Sequence, residues 1–148
     1  MELSNYIDKD LIFLLKEEKK KKVLLQMIDY ICENKELNNK ENINEAIFYR
    51  ESLMSTGIGL GIAVPHVRIK GIKEPVVAVG IQREGIPDYE TIDNIPVKIV
   101  VLIIAGEGQH KEYIRILSLI VTKLKQSEVR EKLIEAKSKK ELFEILIS

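Results

Sequence analysis

The stretch Val97-Lys98-Ile99-Val100-Val101-Leu102-Ile103-Ile104-Ala105 is apolar at every position but one. A strand with no polar alternation has no face to offer to water. It has to lie inside a sheet covered from both sides, as in proteins that layer helices above and below a central sheet. The run is also far too short to cross a bilayer, so no membrane insertion is expected. Two weaker strand signals precede it. Val76-Val77-Ala78-Val79-Gly80-Ile81 reads as one strand, and Ile62-Ala63-Val64, stopped by Pro65, as a short buried one. Asp10 to Leu15 is a short apolar run that fits either a strand or a helix.

The remaining segments follow the helical period. Val23, Leu24, Met27, Ile28, Ile31 and Cys32 recur at helical spacing, and a polar stretch from Glu33 to Lys40 separates them from a second helix. Asn42 is the expected cap of that helix, with Glu45 completing a capping box. Its apolar face reads Ile43, Ala46, Ile47, Leu53 and Met54, and Arg50 falls on or beside it. After the central strand, His110, Tyr113, Ile114, Leu117, Ile120, Val121 and Leu124 form one stripe, so His110 is expected to open an inward face. Ser127 is the expected cap of a short helix through Ala136, and Ser138 with Glu141 forms a capping box for the last one. Helices before, between and after the strands define the expected fold, an α/β three-layer α/β/α sandwich with a central mixed sheet. The chain's 148 residues suit one domain, 1–148.

Charge and cysteine content narrow the function. Lys+Arg and Asp+Glu are both 23, so the formal charge is zero. Nothing then favours nucleic acid or an anionic membrane as partner. The run Lys19-Lys20-Lys21-Lys22 reads as a solvated helix start. Cys32 is the one cysteine and sits on an apolar stripe, as a small buried hydrophobe would. Met1-Glu2-Leu3-Ser4 lacks the basic start and apolar run of a signal peptide. A cytoplasmic, soluble domain is expected, which excludes a transporter but not a soluble partner of one.

The chain has two histidines, and each stands at the edge of an ordered element. An imidazole is the side chain best suited to be a neutral nucleophile near pH 7. Pro65 fixes the chain direction just before His66. A strand-end histidine is more often simply satisfied in a turn. Arg50 on the neighbouring helix alters that balance, because an inward guanidinium needs an anion or acceptors. A glutamate or the end of its own helix would serve it equally well. Two histidines and an arginine suit an anion better than a metal; zinc would need a third ligand, and only scattered carboxylates such as Glu107 and Glu112 are on offer. The glycines of Thr56-Gly57-Ile58-Gly59-Leu60-Gly61 lead into a strand and lack a following Gly-Lys-Ser/Thr, so they read as a turn that aims His66 rather than a nucleotide loop.

Arg50-Glu51, Ser55-Thr56-Gly57-Ile58-Gly59 and Gly61-Ile62-Ala63-Val64-Pro65-His66 resemble the signature of enzyme IIA domains of the bacterial phosphoenolpyruvate:sugar phosphotransferase system, of the fructose/mannitol type that includes nitrogen-regulatory members. Ile92-Asp93-Asn94, Pro96-Val97, His110, Leu117-Ser118-Leu119 and the ending through Ala136, Ser138, Glu141 and Leu142 extend the resemblance over the whole chain. It implies that His66 accepts a phosphoryl group from HPr, or a nitrogen-branch counterpart, and passes it to a IIB domain or subunit in sugar uptake. The alternative is regulation of other proteins by the phosphorylation state. A weaker third reading is a non-enzymatic anion-binding module. By the same resemblance His110 is the second active-site histidine and Arg50 the helix arginine; no cofactor, metal or nucleotide is called for. Thr56 is a candidate support for the phosphoryl group, or a helix-stop residue. Ile58 and Leu60 fit an apolar docking rim. Val67 departs from the small residue that many relatives place after the histidine; a β-branched side chain there either narrows the approach or extends the strand. Since no IIB segment follows residue 148, that partner is expected on a separate chain or severed domain.

Overall fold

A computed structural model describes residues 3–148. The signal-peptide reading rests partly on Met1 and Glu2, which lie outside the described residues. The strands are β1 (Ile7–Leu14), β2 (Gly57–Gly59), β3 (Ile62–Ala63), β4 (His66–Arg68), β5 (Val76–Ile86) and β6 (Val97–Ala105). The helices are α1 (Lys20–Lys35), α2 (Lys40–Leu53), α3 (His110–Leu124), α4 (Ser127–Glu135) and α5 (Lys139–Ile147). The run at Asp10 to Leu15 thus belongs to a strand.

The sheet is mixed, in the order β1-β5-β6-β3-β2, with β4 also paired to β6. β5 runs antiparallel to β6, while β3 and β4 run parallel to it. From Ile99 on, side chains of β6 alternate between two cores. Val100, Leu102 and Ile104 pack with α1 and α2 residues such as Met27, Ile31 and Ile47. Ile99, Val101 and Ile103 pack with α3, α4 and α5 residues such as Ile120, Leu133 and Leu142. Two dry faces explain why the strand is apolar throughout.

Several helix boundaries differ from the expectation. α2 starts at Lys40 after Asn39, placing Asn42 inside the helix rather than at its cap. Its apolar face is shorter too: Ile43 and Ile47 are buried, but Leu53 and Met54 are 64% and 70% exposed. Ser127 is the first residue of α4, after Gln126. Ser138 does cap α5, accepting from the Glu141 amide at 3.2 Å. α1 receives its cap from far along the chain, where Asp88 Oδ1 accepts from the Lys20 amide at 2.8 Å. Cys32 is buried.

The segment leading to His66 is a tight hairpin of β2 and β3. Gly59, Leu60 and Gly61 all have positive φ, at 92°, 60° and 76°. A Cβ on Gly57 would lie 2.2 Å from the Glu90 carbonyl oxygen, so no larger residue fits there. Leu60 is the one non-glycine of the three, and Asp93 Oδ2 accepts from its amide at 2.8 Å. A left-handed leucine costs about 1–2 kcal/mol, which asparagine largely avoids. Leu60→Asn is therefore expected to raise unfolding stability by about 0.5–1 kcal/mol. Gly57→Ala is expected to lower it by about 1–3 kcal/mol through overpacking. Urea unfolding of the two variants checks both signs.

Candidate functional site

β3 ends at Ala63, Val64 and Pro65 follow, and His66 opens β4 opposite Ile103. The break in the strand does not break the ladder, because the Ile103 amide donates to the Pro65 carbonyl at 3.0 Å. The proline lacks a donor but keeps its acceptor, so the backbone beside His66 stays tied to the central strand. Alternation along β4 turns Val67 away from His66 and into the α1/α2 core. Val67 thus extends the strand and does not narrow the approach to the histidine.

The His66 ring is half-buried, and its Nδ1 lies 2.6 Å from the Val64 carbonyl oxygen. A carbonyl only accepts, so Nδ1 carries the proton and the neutral ring keeps its lone pair on Nε2. Burial holds the imidazolium below its usual range, and the Arg50 guanidinium adds to that; the Val64 carbonyl and Glu51 pull the other way. Burial is the largest of these effects, and the balance favours the neutral, nucleophilic form.

His66 lines a cavity of about 560 Å³ together with Arg50, Met54, Thr56, Ile58 and Ile92. Arg50 sits in the last turn of α2 and donates from Nη1 to the Met54 carbonyl at 2.8 Å. The guanidinium thus closes the end of its own helix, one of the partners open to it from sequence, while it also borders the histidine. Ile92 is 85% exposed, and with Met54 and Ile58 it gives the cavity an apolar, open rim. Leu60 is exposed but lies elsewhere, in a separate depression with Ile95 and Pro96.

Two expected residues take other positions. His110 is exposed at the first turn of α3 and does not open an inward face. The α3 residue that meets His66 is Tyr113, with ring centroids 5.4 Å apart. Tyr113 is three positions on from His110, so both lie on one side of the helix. The stripe contained Tyr113, but nothing in the spacing distinguished it from a core residue. Thr56 is buried, and its hydroxyl is engaged at 2.5 Å from Glu51 Oε2 and 2.7 Å from the Tyr89 hydroxyl. Glu51, Tyr89 and Lys20 were absent from the expected site. Lys20 also departs from the solvated helix start, since its Nζ lies 3.0 Å from Glu51 Oε1 with the side chain only 15% exposed. Among the described residues, no group of three or more His, Cys, Asp or Glu side chains is placed to hold a metal. None of the described helices is long and apolar enough to cross a membrane.

Fold and cavity define a class: a mixed-sheet α/β domain presenting a neutral histidine beside an arginine at an open apolar rim. Residues 5–148 match the family model described as "Phosphoenolpyruvate-dependent sugar phosphotransferase system, EIIA 2". The chain belongs to this enzyme IIA family, whose members take part in phosphoryl transfer. It is 35% identical over 147 residues to the PTS system fructose-specific EIIABC component of Bacillus subtilis (strain 168), covering 99% of this chain and 23% of that protein. The chain therefore spans less than a quarter of that relative's length. The crystal structure of nitrogen regulatory protein IIA-Ntr from Neisseria meningitidis is 28% identical, with a TM-score of 0.88 over 97% of this chain and 98% of that one. A complex of mannitol enzyme IIA with phosphorylated enzyme IIB from Escherichia coli shares the fold, with a TM-score of 0.78 at 22% identity over 95% of this chain and 96% of that one. Sugar-specific and nitrogen-regulatory proteins are thus both among the relatives.

The electrostatics of His66 have a measurable consequence. A native pKa below the unfolded value of about 6.5 means that the folded state binds fewer protons in that window. The stability contributed by a neutral His66 is present above about pH 6.5 and is lost as pH falls through the lower native pKa. An NMR titration of His66 is expected to give a midpoint below 6.5, and Arg50→Gln to move it upward by removing the nearby cation.

Proposed function

We propose that this chain is a phosphohistidine carrier of the enzyme IIA type over residues 1–148, accepting a phosphoryl group on His66 Nε2 from an HPr-type phosphocarrier and passing it to a IIB domain or subunit in sugar uptake. The single observation that carries this reading is the Nδ1 hydrogen bond to the Val64 carbonyl. It commits one ring nitrogen as donor and leaves the other as nucleophile without any general base. The Nε2 lone pair forms the new bond to phosphorus as the donor's bond to phosphorus breaks. That electron pair leaves with the donor, and no proton has to move. Onward transfer is the same exchange in reverse, with the IIB nucleophile attacking.

Phosphoryl transfer rests mainly on alignment and on stabilising charge over the equatorial oxygens. Arg50, beside His66 in the cavity, is the group suited to those oxygens. His110, on the same side of α3 as Tyr113, is assigned to the rim where it donates a further hydrogen bond once a partner is seated. Thr56 supports the site indirectly, since its hydroxyl is taken up by Glu51 and Tyr89. The exposed Met54, Ile58 and Ile92 give carrier proteins an apolar surface for brief docking. No metal or cofactor enters the reaction, and the chain works in the cytoplasm beside its donor.

The test is incubation with phosphoenolpyruvate, enzyme I and HPr, followed by intact-mass spectrometry. One acid-labile phosphoryl group is expected on wild type and none on His66→Ala, with Arg50→Gln slowed about a hundredfold. An unmodified wild type, or equal labelling of His66→Ala, overturns the proposal. The second reading, a nitrogen-regulatory role, draws support from the likeness to IIA-Ntr. Adding a IIB protein separates the two, because a transport carrier loses its label to IIB and a regulatory protein keeps it.

A further inference from the structure

Glu51 lies beside Arg50 in sequence but belongs to a different set of contacts. Its side chain is 5% exposed. Oε1 accepts from Lys20 Nζ at 3.0 Å and from the Thr56 amide at 3.2 Å. Oε2 accepts from the Thr56 hydroxyl at 2.5 Å. That hydroxyl has a single proton, which goes to the carboxylate, so the Tyr89 phenol must donate to the Thr56 oxygen at 2.7 Å. Lys20 Nζ also stands 4.5 Å from the Tyr89 ring centroid. One carboxylate thus ties together the start of α1, the end of α2, the approach to β2 and the segment after β5.

This cluster acts on the site through two residues of backbone. Thr56 is held by both its amide and its hydroxyl. Met54 precedes it by two positions, and the Met54 carbonyl is the acceptor that orients the Arg50 guanidinium. Stability is a poor explanation for the arrangement. Replacing a buried ion pair by neutral residues of similar shape is often neutral or stabilising. A charge at this place does have a use, because a carboxylate accepts from three donors at once and fixes a loop more tightly than a neutral group.

We propose that Glu51 is a positioning residue of this site: through Thr56 it fixes the Met54 carbonyl that aims Arg50 at the group bound on His66. Lys20 completes the device. It neutralises the carboxylate, so that an anion arriving beside Arg50 meets an aligned guanidinium and no uncompensated negative charge in the wall behind it. The kinetic consequence rests on the phosphocarrier reading; the ordering of Arg50 does not.

The test compares wild type with Glu51→Gln and with the double variant Lys20→Met/Glu51→Gln, which leaves no buried charge unpaired and keeps the shape of both side chains. One arm is NMR relaxation of the Arg50 Nε–H. An ordered guanidinium is expected in wild type, with an order parameter near 0.85, falling below about 0.6 in both variants. The other arm is the rate of phosphoryl uptake from phosphorylated HPr. The maximal rate is expected to fall roughly tenfold to a hundredfold, with half-saturation by HPr unchanged. A folded double variant that keeps both an ordered Arg50 and the wild-type rate overturns the proposal, leaving Glu51 a structural residue only. A wild type that takes up no phosphoryl group defeats the phosphocarrier reading instead, and the relaxation arm alone then decides the role of Glu51.

Discussion

The arrangement depends on β6 being buried on both faces. A strand with no contact with water has to satisfy its backbone through its neighbours, because each unpaired buried amide or carbonyl costs about 1–3 kcal/mol. β5 supplies one antiparallel edge along nearly the whole strand. The other edge is served in sequence by β3, the Pro65 carbonyl and β4. His66 is therefore placed by the pairing demands of β6 and not by local turn preference alone. The histidine takes its register from Ile103, and that register sends its ring toward α3 and the end of α2.

Much of this was legible in the residues. The apolar run at Val97 to Ala105 coincides with the observed strand, and its lack of alternation correctly implied helices on both sides. The Ser138 cap was equally readable, because donor and acceptor lie three residues apart. The failures involve long-range partners. No local pattern could show that Asp88 caps α1 or that Lys20 turns inward to Glu51, since the contacts span 68 and 31 positions. The face of α2 was misread at Leu53 and Met54 because they continue an apolar pattern beyond the surface they would cover. Both are exposed, Met54 at the rim of the site, where local pattern and tertiary packing part company. His110 attracted attention as a histidine, and Tyr113, one turn on, makes the ring contact instead.

Around His66 two opposing demands are met by separate layers. The ring itself is desolvated and faces a cation, which keeps it neutral. The compensating anion, Glu51, follows Arg50 in sequence, does not line the cavity, and carries its own cation in Lys20. Charge thus alternates in sign, with Lys20 paired to the more buried Glu51 and Arg50 bordering the cavity that holds the imidazole. Burial raises the Tyr89 phenol above its usual range and Tyr113 likewise, so both hydroxyls stay protonated beside these charges, and Tyr89 serves as a neutral donor to Thr56. The cavity can present a guanidinium without leaving the protein wall as a whole cationic.

The borrowed cap of α1 bears on how the chain assembles. Its first turn is completed by Asp88, and the same turn supplies Lys20 to Glu51 and Glu90. A chain growing from its N-terminus makes the whole of α1 long before residue 88 exists. Until β5 and the segment after it are in place, the helix start lacks the Asp88 cap and Lys20 lacks its Glu90 partner, and short helices in isolation are marginal in water. Closing that gap is a non-local event whose loop entropy must be met before its contacts form, the kind of step that slows folding. The N-terminal third is thus tied to the arrival of the middle third, and the wall of the site is completed in the same step that finishes the first helix.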